Sequence, residues 1–558
     1  MPTPPIIWSI AGLDPAGGAG LSADQRAADA LGVHLCPVAS TLTAQSSQGV
    51  EAIYPVAAES LQAQLLALAE DMPPRVIKTG LLGSVAAVQL VARWVDHFRA
   101  RTPAGIDPHQ HLALVVDPVL AASSGGAPFS TEAVREAYRQ WLLPRATLVT
   151  PNRAEALQLL KRPGRHDTPP AGLPALAEAL VSHGARSVVI TGGDAPQDAR
   201  CPDGQPWALD WLRTPHAQGW LCAPRIDTPH HHGTGCTFAT GAAAALALGH
   251  VEADAIVLAN MLTRHALMQS HPAGQGAGPV KALRGFAAGP AHGGAPLPWL
   301  GLGTDLPWRL SEPPHPDAPH NLFLPYPPPA DGLYGILADS AQLDGALQAG
   351  LRCVQLRHKS REGLEAQLQR SLTLAAQAGA QLFINDHWRD ALALPPRVTV
   401  QPGFRLGLHL GQEDLLALTP DDRRQLLAER DRIMLGLSSH SLWELARAAG
   451  CGASLIACGP VQATTTKDMP WLPQGEDNLR WWVAHSPAPV VAIGGILSLA
   501  DVARFAACQP AAVCVVRGLG DHPEAMQRKV PALQAARQQA TLTPAIPESG
   551  VPLPHPVL

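Results

Sequence analysis

The stretch His232-Gly-Thr-Gly-Cys236, followed by the small-residue run Thr237–Leu248, sets a thiol at the first turn of an expected helix. A glycine-rich turn opening a helix presents unpaired backbone N–H groups and the positive end of the helix dipole, which suits a phosphate or a developing phosphoryl charge. A thiol pKa is lowered at such a position, so Cys236 is a candidate base toward an attacking hydroxyl. A second glycine motif, Ala11-Gly-Leu-Asp-Pro-Ala-Gly-Gly-Ala-Gly20, follows directly on an expected strand and lets backbone approach a ligand. Asp117-Pro118 and Pro151-Asn152-x-x-Glu155 each follow a buried strand, where carboxylates organise a hydrated magnesium ion on nucleotide phosphates. His230-His231-His232 resembles a metal tract and is read instead as a loop entering the glycine turn.

A second set of polar residues falls late in the chain, each at the end of a short apolar run. These are Gln355-Leu-Arg357-His-Lys359, Asn385-Asp386, Gly411-Gln-Glu-Asp414, Ser438-Ser-His440, Thr464-Thr-Thr-Lys467 and Gly494-Gly495. Arg357 as a planar fork and Lys359 as a point charge suit a diphosphate. Asp386 and Asp414, from neighbouring runs, complete a magnesium-diphosphate site. The Gly494-Gly495 N–H groups can cradle a second phosphate near a helix start.

These residues need a frame. In the first half, apolar runs at Ile6–Ala11, Arg75–Lys78, Ala113–Val116, Thr147–Val149 and Ser187–Ile190 alternate with amphipathic stretches such as Glu59–Glu70 and Ala87–Arg99. That alternation predicts an α/β domain over residues 1–285 with a largely parallel sheet. Residues 286–330 hold 12 prolines, against 55 in all 558, so they read as a linker or wrapping segment. Trp299, Leu300, Trp308 and Phe323 are costly to leave in water, so part of it is expected to lie against a domain. From Asp331, eight runs follow: Leu333–Leu337, Cys353–Leu356, Leu382–Ile384, Leu406–Leu410, Ile433–Leu437, Leu455–Ala457, Val490–Ile493 and Ala512–Val516. Eight strand-helix units over 331–540 predict a compact (β/α)8 barrel with its active face at the strand ends. The Pro-rich tail, 541–558, is expected to be disordered.

The first-half motifs AGLDPAGGAGLSAD (Ala11–Asp24), LTAQ (Leu42–Gln45), GLLGS (Gly80–Ser84) and RIDTPHHHGTGC (Arg225–Cys236) resemble hydroxymethylpyrimidine/phosphomethylpyrimidine kinase. The resemblance implies a ribokinase-like α/β sandwich and ATP-dependent phosphorylation of 4-amino-5-hydroxymethyl-2-methylpyrimidine and then of its monophosphate. It implies that Asp24 and Gln45 hydrogen-bond the aminopyrimidine and that Gly12 and Leu81 line its pocket. Gly233, Thr234 and Gly235 form the anion hole beside Cys236, and Asp117, Asn152 and Glu155 organise nucleotide and magnesium. Thr191 and Ala277 stand where the family often has Lys and His.

The later motifs GLYGILADS, VQLRHK, INDHWRDAL, HLGQED, GLSSHS, GPVQATTTKDMPW and VVAIGGI resemble thiamine phosphate synthase. That implies a TIM barrel condensing the pyrimidine diphosphate with a hydroxyethylthiazole phosphate. Gln355, Arg357, Lys359 and Asn385 then bind the pyrimidine diphosphate and Asp386 and Asp414 hold magnesium. Ser438 and Lys467 contact diphosphate or pyrimidine, while Thr464, Thr466 and Gly495 hold thiazole phosphate. Arg517 stands where that family usually has Ser. The product of the first reaction is the substrate of the second.

The two resemblances imply small-molecule partners, and composition bears on the other classes. Net charge is -5, so there is no basic excess for nucleic acid. With 46% hydrophobic and 16% charged residues, global disorder is excluded. The longest Ala/Leu runs are too short for a bilayer, and the first residues lack a basic region leading into an apolar one, so a cytoplasmic protein without membrane contact is expected. Nine cysteines, an odd number without CxxC spacing, read as mostly buried free thiols. A homo-oligomer is left open.

Overall fold

A computed structural model describes residues 3–120, 130–161, 172–193, 204, 206–316, 321–394, 400–464 and 472–542. The chain divides into two compact units, Met1–Pro298 with Gly303–Asp305, and Trp299–Leu302 with Leu306–Leu558. Asp194, Thr466, Lys467 and residues 543–558 lie outside the described residues.

The first unit is built on β1 (Ile6–Leu13), β2 (His34–Ser46), β3 (Gly49–Pro55), β4 (Val76–Thr79), β5 (Ala113–Val116), β6 (Leu148–Val149), β7 (Val188–Ile190), β8 (Trp207–Arg213) and β9 (Gln218–Pro224). Within it these strands lie in the order β9-β8-β7-β6-β5-β4-β1-β2-β3. The pairs linking β7 through β2 are parallel, whereas β2–β3, β7–β8 and β8–β9 are antiparallel. The five expected strands are all present, and they are the ones buried on both faces. Of the four not foreseen, β2, β3 and β8 carry polar residues inside the strand, such as Thr41 and Thr43 in β2, Glu51 in β3 and Asp210 in β8.

The helix Thr234–Ala247 packs across β1, β4 and β5 and against the helices Gly20–Leu31 and Glu252–Met268. This crowding explains its small-residue run. A Cβ on Gly241 would sit 3.0 Å from Leu262 Cδ2, and Ala242 through Ala245 are fully buried. Larger side chains would push the helix off the sheet and move its N-terminus away from the strand ends.

In the second unit a two-residue strand, β10 (Trp299–Leu300), precedes the barrel. The barrel strands are β11 (Leu333–Leu337), β12 (Cys353–Leu356), β13 (Gln381–Asn385), β14 (Arg405–Leu410), β15 (Ile433–Ser439), β16 (Leu455–Cys458), β17 (Val490–Ala492) and β18 (Ala512–Val515). They close in sequence order, with β11 pairing to β18. Tyr334, Phe383, Met434 and Cys514 fill the interior together with Tyr326, whose ring meets Phe383 edge-on at 6.0 Å. Tyr326 belongs to the Pro-rich stretch, whose residues from Leu306 on belong to this unit, whereas 286–298 and 303–305 belong to the first. Leu322 N–H donates to Gly452 O (3.1 Å), Leu324 N–H to Ile433 O (3.0 Å), and Trp308 and Phe323 are buried.

Candidate active sites

In the first unit a cavity of about 530 Å³ opens where the parallel strands end. Leu13 ends β1, Gly80 follows β4, Asp117 follows β5, Thr150 follows β6 and Thr191 follows β7, and all of them line it. Ligands bind at the carboxyl ends of parallel strands because helix starts and loop N–H groups converge there. Gly12, Gln45 and Leu81 also line the cavity, and Gly12 packs on Leu81. The opposite wall is the turn Gly233-Thr234-Gly235-Cys236 at the start of the helix Thr234–Ala247. Gly233 has φ +88°, and a Cβ there would fall 2.2 Å from Gly18 O, so only glycine fits.

The thiol corrects the sequence expectation. Cys236 is half-buried at the helix start, yet its pKa is pushed up to about 12 rather than lowered. Loss of solvent is the largest cause, and Asp24 and Asp117 add to it; the Lys78 ammonium and the Gly20 N–H oppose them without prevailing. Asp24 is a second correction. It is wholly buried and is not among the residues lining the cavity. Lys78 Nζ lies 2.9 and 3.0 Å from its two oxygens, and the Thr240 and Ser9 hydroxyls donate to them at 2.7 and 2.6 Å. With four hydrogen bonds from these three groups it has no free acceptor for a pyrimidine. Asp117 faces the same ammonium at 3.7 Å, and burial pushes its carboxyl up to about 6. Asn152 and Glu155 line the cavity while capping the helix Arg153–Leu160 reciprocally. The Glu155 N–H donates to Asn152 Oδ1 at 2.9 Å, and the Asn152 N–H to Glu155 Oε2 at 3.0 Å. Ala277 lies in the loop between Gly276, whose N–H donates to Ser47 Oγ (3.1 Å), and Gly278.

Several contributors were not singled out from sequence. Asp14 joins the two glycine motifs: its oxygens accept from the Ala16, Gly18 and Ala19 N–H groups and from His232 Nε2 at 3.0 Å. Burial alone would raise its pKa, but the His232, Ala19 and Ala16 hydrogen bonds prevail and hold it below the usual carboxylate range. The signal was present in the motif, where an Asp precedes a glycine turn; its partner 218 residues away was not. Asp210, on the far wall, accepts from the Gly192 N–H and from Asn260 Nδ2, and burial outweighs those two hydrogen bonds and pushes it up to about 6.

In the second unit those of the expected residues that are described lie at or after the strand ends of the barrel. Gln355 is buried, accepting from Tyr334 Oη at 2.8 Å and donating to Asn385 Oδ1 at 2.9 Å. Arg357 is half-buried and Lys359 exposed just beyond β12. Asp386, at φ +65°, follows β13; desolvation and the Asp414 carboxylate raise its pKa, with Arg357 opposing. Asp414 accepts the Gly411 N–H at 3.1 Å as a cap of the helix Gln412–Leu416. Ser438 Oγ lies 3.0 Å from His409 Nε2, and burial pushes that imidazole down to about 4, so it is neutral. Gln412 Nε2 donates to Ser438 O, and the buried Arg447 donates to Gln412 Oε1. Tyr334, His409, Gln412 and Arg447 were not anticipated because each acts on another residue of the site, Gln412 through the Ser438 carbonyl and the others through side chains. Gly494 and Gly495 have φ +96° and +77°, and a Cβ on Gly495 would sit 2.5 Å from Gln462 Cβ. Thr464 follows β16, and Arg517 is exposed after β18.

Comparison with known proteins gives two family matches. Residues 14–281 match the family described as phosphomethylpyrimidine kinase, and residues 337–519 that described as thiamine monophosphate synthase. A probable thiamine biosynthetic bifunctional enzyme, chloroplastic, from Oryza sativa subsp. japonica is 31% identical over 94% of this chain and 87% of its own length. A hydroxymethylpyrimidine/phosphomethylpyrimidine kinase from Streptomyces coelicolor is 36% identical over 51% of this chain and 97% of its own. Among solved structures, an ADP complex of Bacillus subtilis pyridoxal kinase covers 50% of this chain and 98% of its own, with 27% identity and a TM-score of 0.41.

Proposed function

The chain belongs to the bifunctional thiamine biosynthetic enzymes, and from that premise we propose how its own residues carry the two reactions. It joins a hydroxymethylpyrimidine/phosphomethylpyrimidine kinase domain to a thiamine phosphate synthase domain. The observation that carries the sequential reading is this pairing, since the diphosphate made by the first domain is consumed by the second.

In the kinase, the phosphoryl donor is ATP and the acceptor is the pyrimidine hydroxymethyl group, or its monophosphate in the second round. Gln45, Gly12 and Leu81 hold the ring. The turn Gly233–Gly235 receives the transferring phosphoryl group, and Cys236, as thiolate, takes the hydroxyl proton while the terminal phosphate bond of ATP breaks. Asp117, Asn152 and Glu155, at the cavity wall, fit an indirect role toward hydrated magnesium, since the Asn152 and Glu155 side chains already serve the helix cap.

In the synthase, Gln355 and Asn385 orient the aminopyrimidine, and Arg357 and Lys359 meet the diphosphate. Asp386 and Asp414 fit a divalent cation, because the repulsion that raises Asp386 would be relieved by one. Magnesium there would supply charge neutralisation of the departing diphosphate. The ring pushes electron density toward its methylene carbon as diphosphate leaves, and the thiazole nitrogen captures that carbon. Ser438 and Lys467 contact the diphosphate or pyrimidine, while Thr464, Thr466 and Gly495 hold the thiazole phosphate. Cysteines that are free among the described residues support a reducing, cytoplasmic setting.

The test supplies purified protein with pyrimidine alcohol, thiazole phosphate, ATP and magnesium, and looks for thiamine phosphate. Asp414→Asn and Asp386→Asn should lower the synthase rate on supplied diphosphate by roughly 10- to 1,000-fold, with excess magnesium partly rescuing Asp414→Asn. Unchanged rates and metal dependence in both variants would leave these carboxylates as caps only.

A further inference from the structure

A hydrogen-bonded chain, Asp14–His232–Gln45–Thr43, runs from one glycine motif to the other along the cavity wall, which all four residues line. The His232 ring is buried and cannot swing aside. It packs on Gly18, where a Cβ would sit 2.1 Å from His232 Cδ2, and the His232 backbone is held by Gly278 O and the Val280 N–H at 3.1 and 3.0 Å. His232 Nε2 lies 3.0 Å from Asp14 Oδ2 and 3.2 Å from Gln45 Nε2, an amide position that a half-turn of the side chain exchanges with Oε1. The other end of that amide lies 3.3 Å from Thr43 Oγ1, whose hydroxyl donates to Leu13 O at 2.9 Å.

The donors and acceptors along this chain permit one arrangement. An ionised Asp14 only accepts, so His232 Nε2 carries a hydrogen whether the ring is neutral or charged. That hydrogen faces Gln45 as well as Asp14. An amide nitrogen only donates, so it cannot be the group that answers it. With the Gln45 amide turned so that Oε1 meets His232 Nε2, its Nε2 meets Thr43 Oγ1. The Thr43 hydrogen is spent on Leu13 O, which leaves that oxygen free to accept. Every group is then paired, whereas the opposite turn sets two donors against each other.

We propose that His232 and Asp14 are specificity-positioning residues: they lock the Gln45 amide in one orientation, so the cavity meets its remaining oxygen lone pair and remaining N–H in fixed places. An aminopyrimidine offers an amine donor beside a ring-nitrogen acceptor. The corresponding oxo ring offers an acceptor beside an N–H donor, the reversed pattern. A locked amide separates the two, and an amide free to turn over accepts either. This deepens the reading of Gln45 as a pyrimidine contact and rests on it.

The experiment measures kcat/KM of the full chain for 4-amino-5-hydroxymethyl-2-methylpyrimidine and for its 4-oxo analogue. His232→Phe keeps a flat ring but removes the donor, and should cut the amino-over-oxo ratio at least about tenfold, chiefly through KM. His232→Gln, which returns an amide donor near the Nε2 position, should recover most of that ratio; His232→Asn, one carbon shorter, should not. A ratio within about twofold of wild type in His232→Phe overturns the relay. Should His232→Phe not fold, equal ratios in the Gln and Asn variants overturn it. Gln45→Ala separates the two ideas. If it leaves the ratio intact, the Gln45 contact itself fails; if it abolishes the ratio while the His232 variants do not, only the relay fails.

Discussion

A thiol whose pKa stands near 12 is protonated at neutral pH, so the base form of Cys236 is a minor species in the ligand-free kinase site. Below that pKa the thiolate fraction grows about tenfold per pH unit. The kinase rate should therefore climb with a log slope near one from about pH 6 to 9. Cys236→Asp, ionised well below that range, should flatten the slope. Cys236→Ala should lower the rate about 100- to 10,000-fold without touching the synthase. A flat wild-type profile would mean that the thiol does not limit the reaction. Asp210 makes a stability prediction of definite sign. Its folded pKa of about 6 lies above the unfolded 3.8, so the folded state holds its proton more tightly. Below about pH 4 both states are protonated and nothing is lost. Stability falls as pH rises from there to about 6, to a total of about 3 kcal/mol. Asp210→Asn should thus melt higher than wild type at pH 8 and lose that advantage at pH 4. An equal advantage at both pH values would reject the assignment.

At the scale of elements, the helix Thr234–Ala247 and the Pro-rich segment do different work from what their compositions suggest. Residues of the helix are small because β1, β4, β5 and two helices crowd it, and that crowding sets the anion-hole turn against Gly18. The Pro-rich stretch has few backbone ladders to offer, yet Trp308, Leu310, Leu322 and Phe323 are buried on the barrel unit. Burying four such side chains contributes roughly 6 to 12 kcal/mol, comparable to the whole stability of a domain. A fragment 299–558 should be soluble and carry synthase activity, whereas 331–558 should aggregate or melt far lower. Circular dichroism melts of the two compare them directly, and transitions within a few degrees of each other would show that the segment adds little.

For the whole molecule, the described walls of the kinase cavity come from the first unit alone, and the barrel strand ends belong to the second. Inactivating one site should leave the other intact. Cys236→Ala cannot make the diphosphate and Asp386→Asn cannot use it efficiently, so neither alone should form thiamine phosphate at the wild-type rate. Mixed together they should restore it, after a lag that shortens as Asp386→Asn protein is added, because the diphosphate is a soluble product. A mixture no better than its parts would show that the intermediate stays with the chain that makes it.

The eight barrel strands could be read along the chain to within two residues at each end, as could the five central strands of the first sheet. Both sets are buried on two faces, so their apolar runs record the burial locally. The glycine turn at Gly233 was equally legible, since a left-handed backbone and a close approach both demand glycine. Strands such as β8 were not, because Asp210 interrupts the run and is tolerated only through Gly192 and Asn260. The same holds for the sites. Residue types and spacing pointed to Cys236, Asp386 and Asp414, and the family resemblance to Gln45, but folding decided that Asp24 is spent on Lys78, that the Cys236 thiol is raised, and that Asp14 meets His232. Desolvation, charge and hydrogen bonding act over a few ångströms of space, and the residues that supply them here stand tens to hundreds of positions apart in the chain.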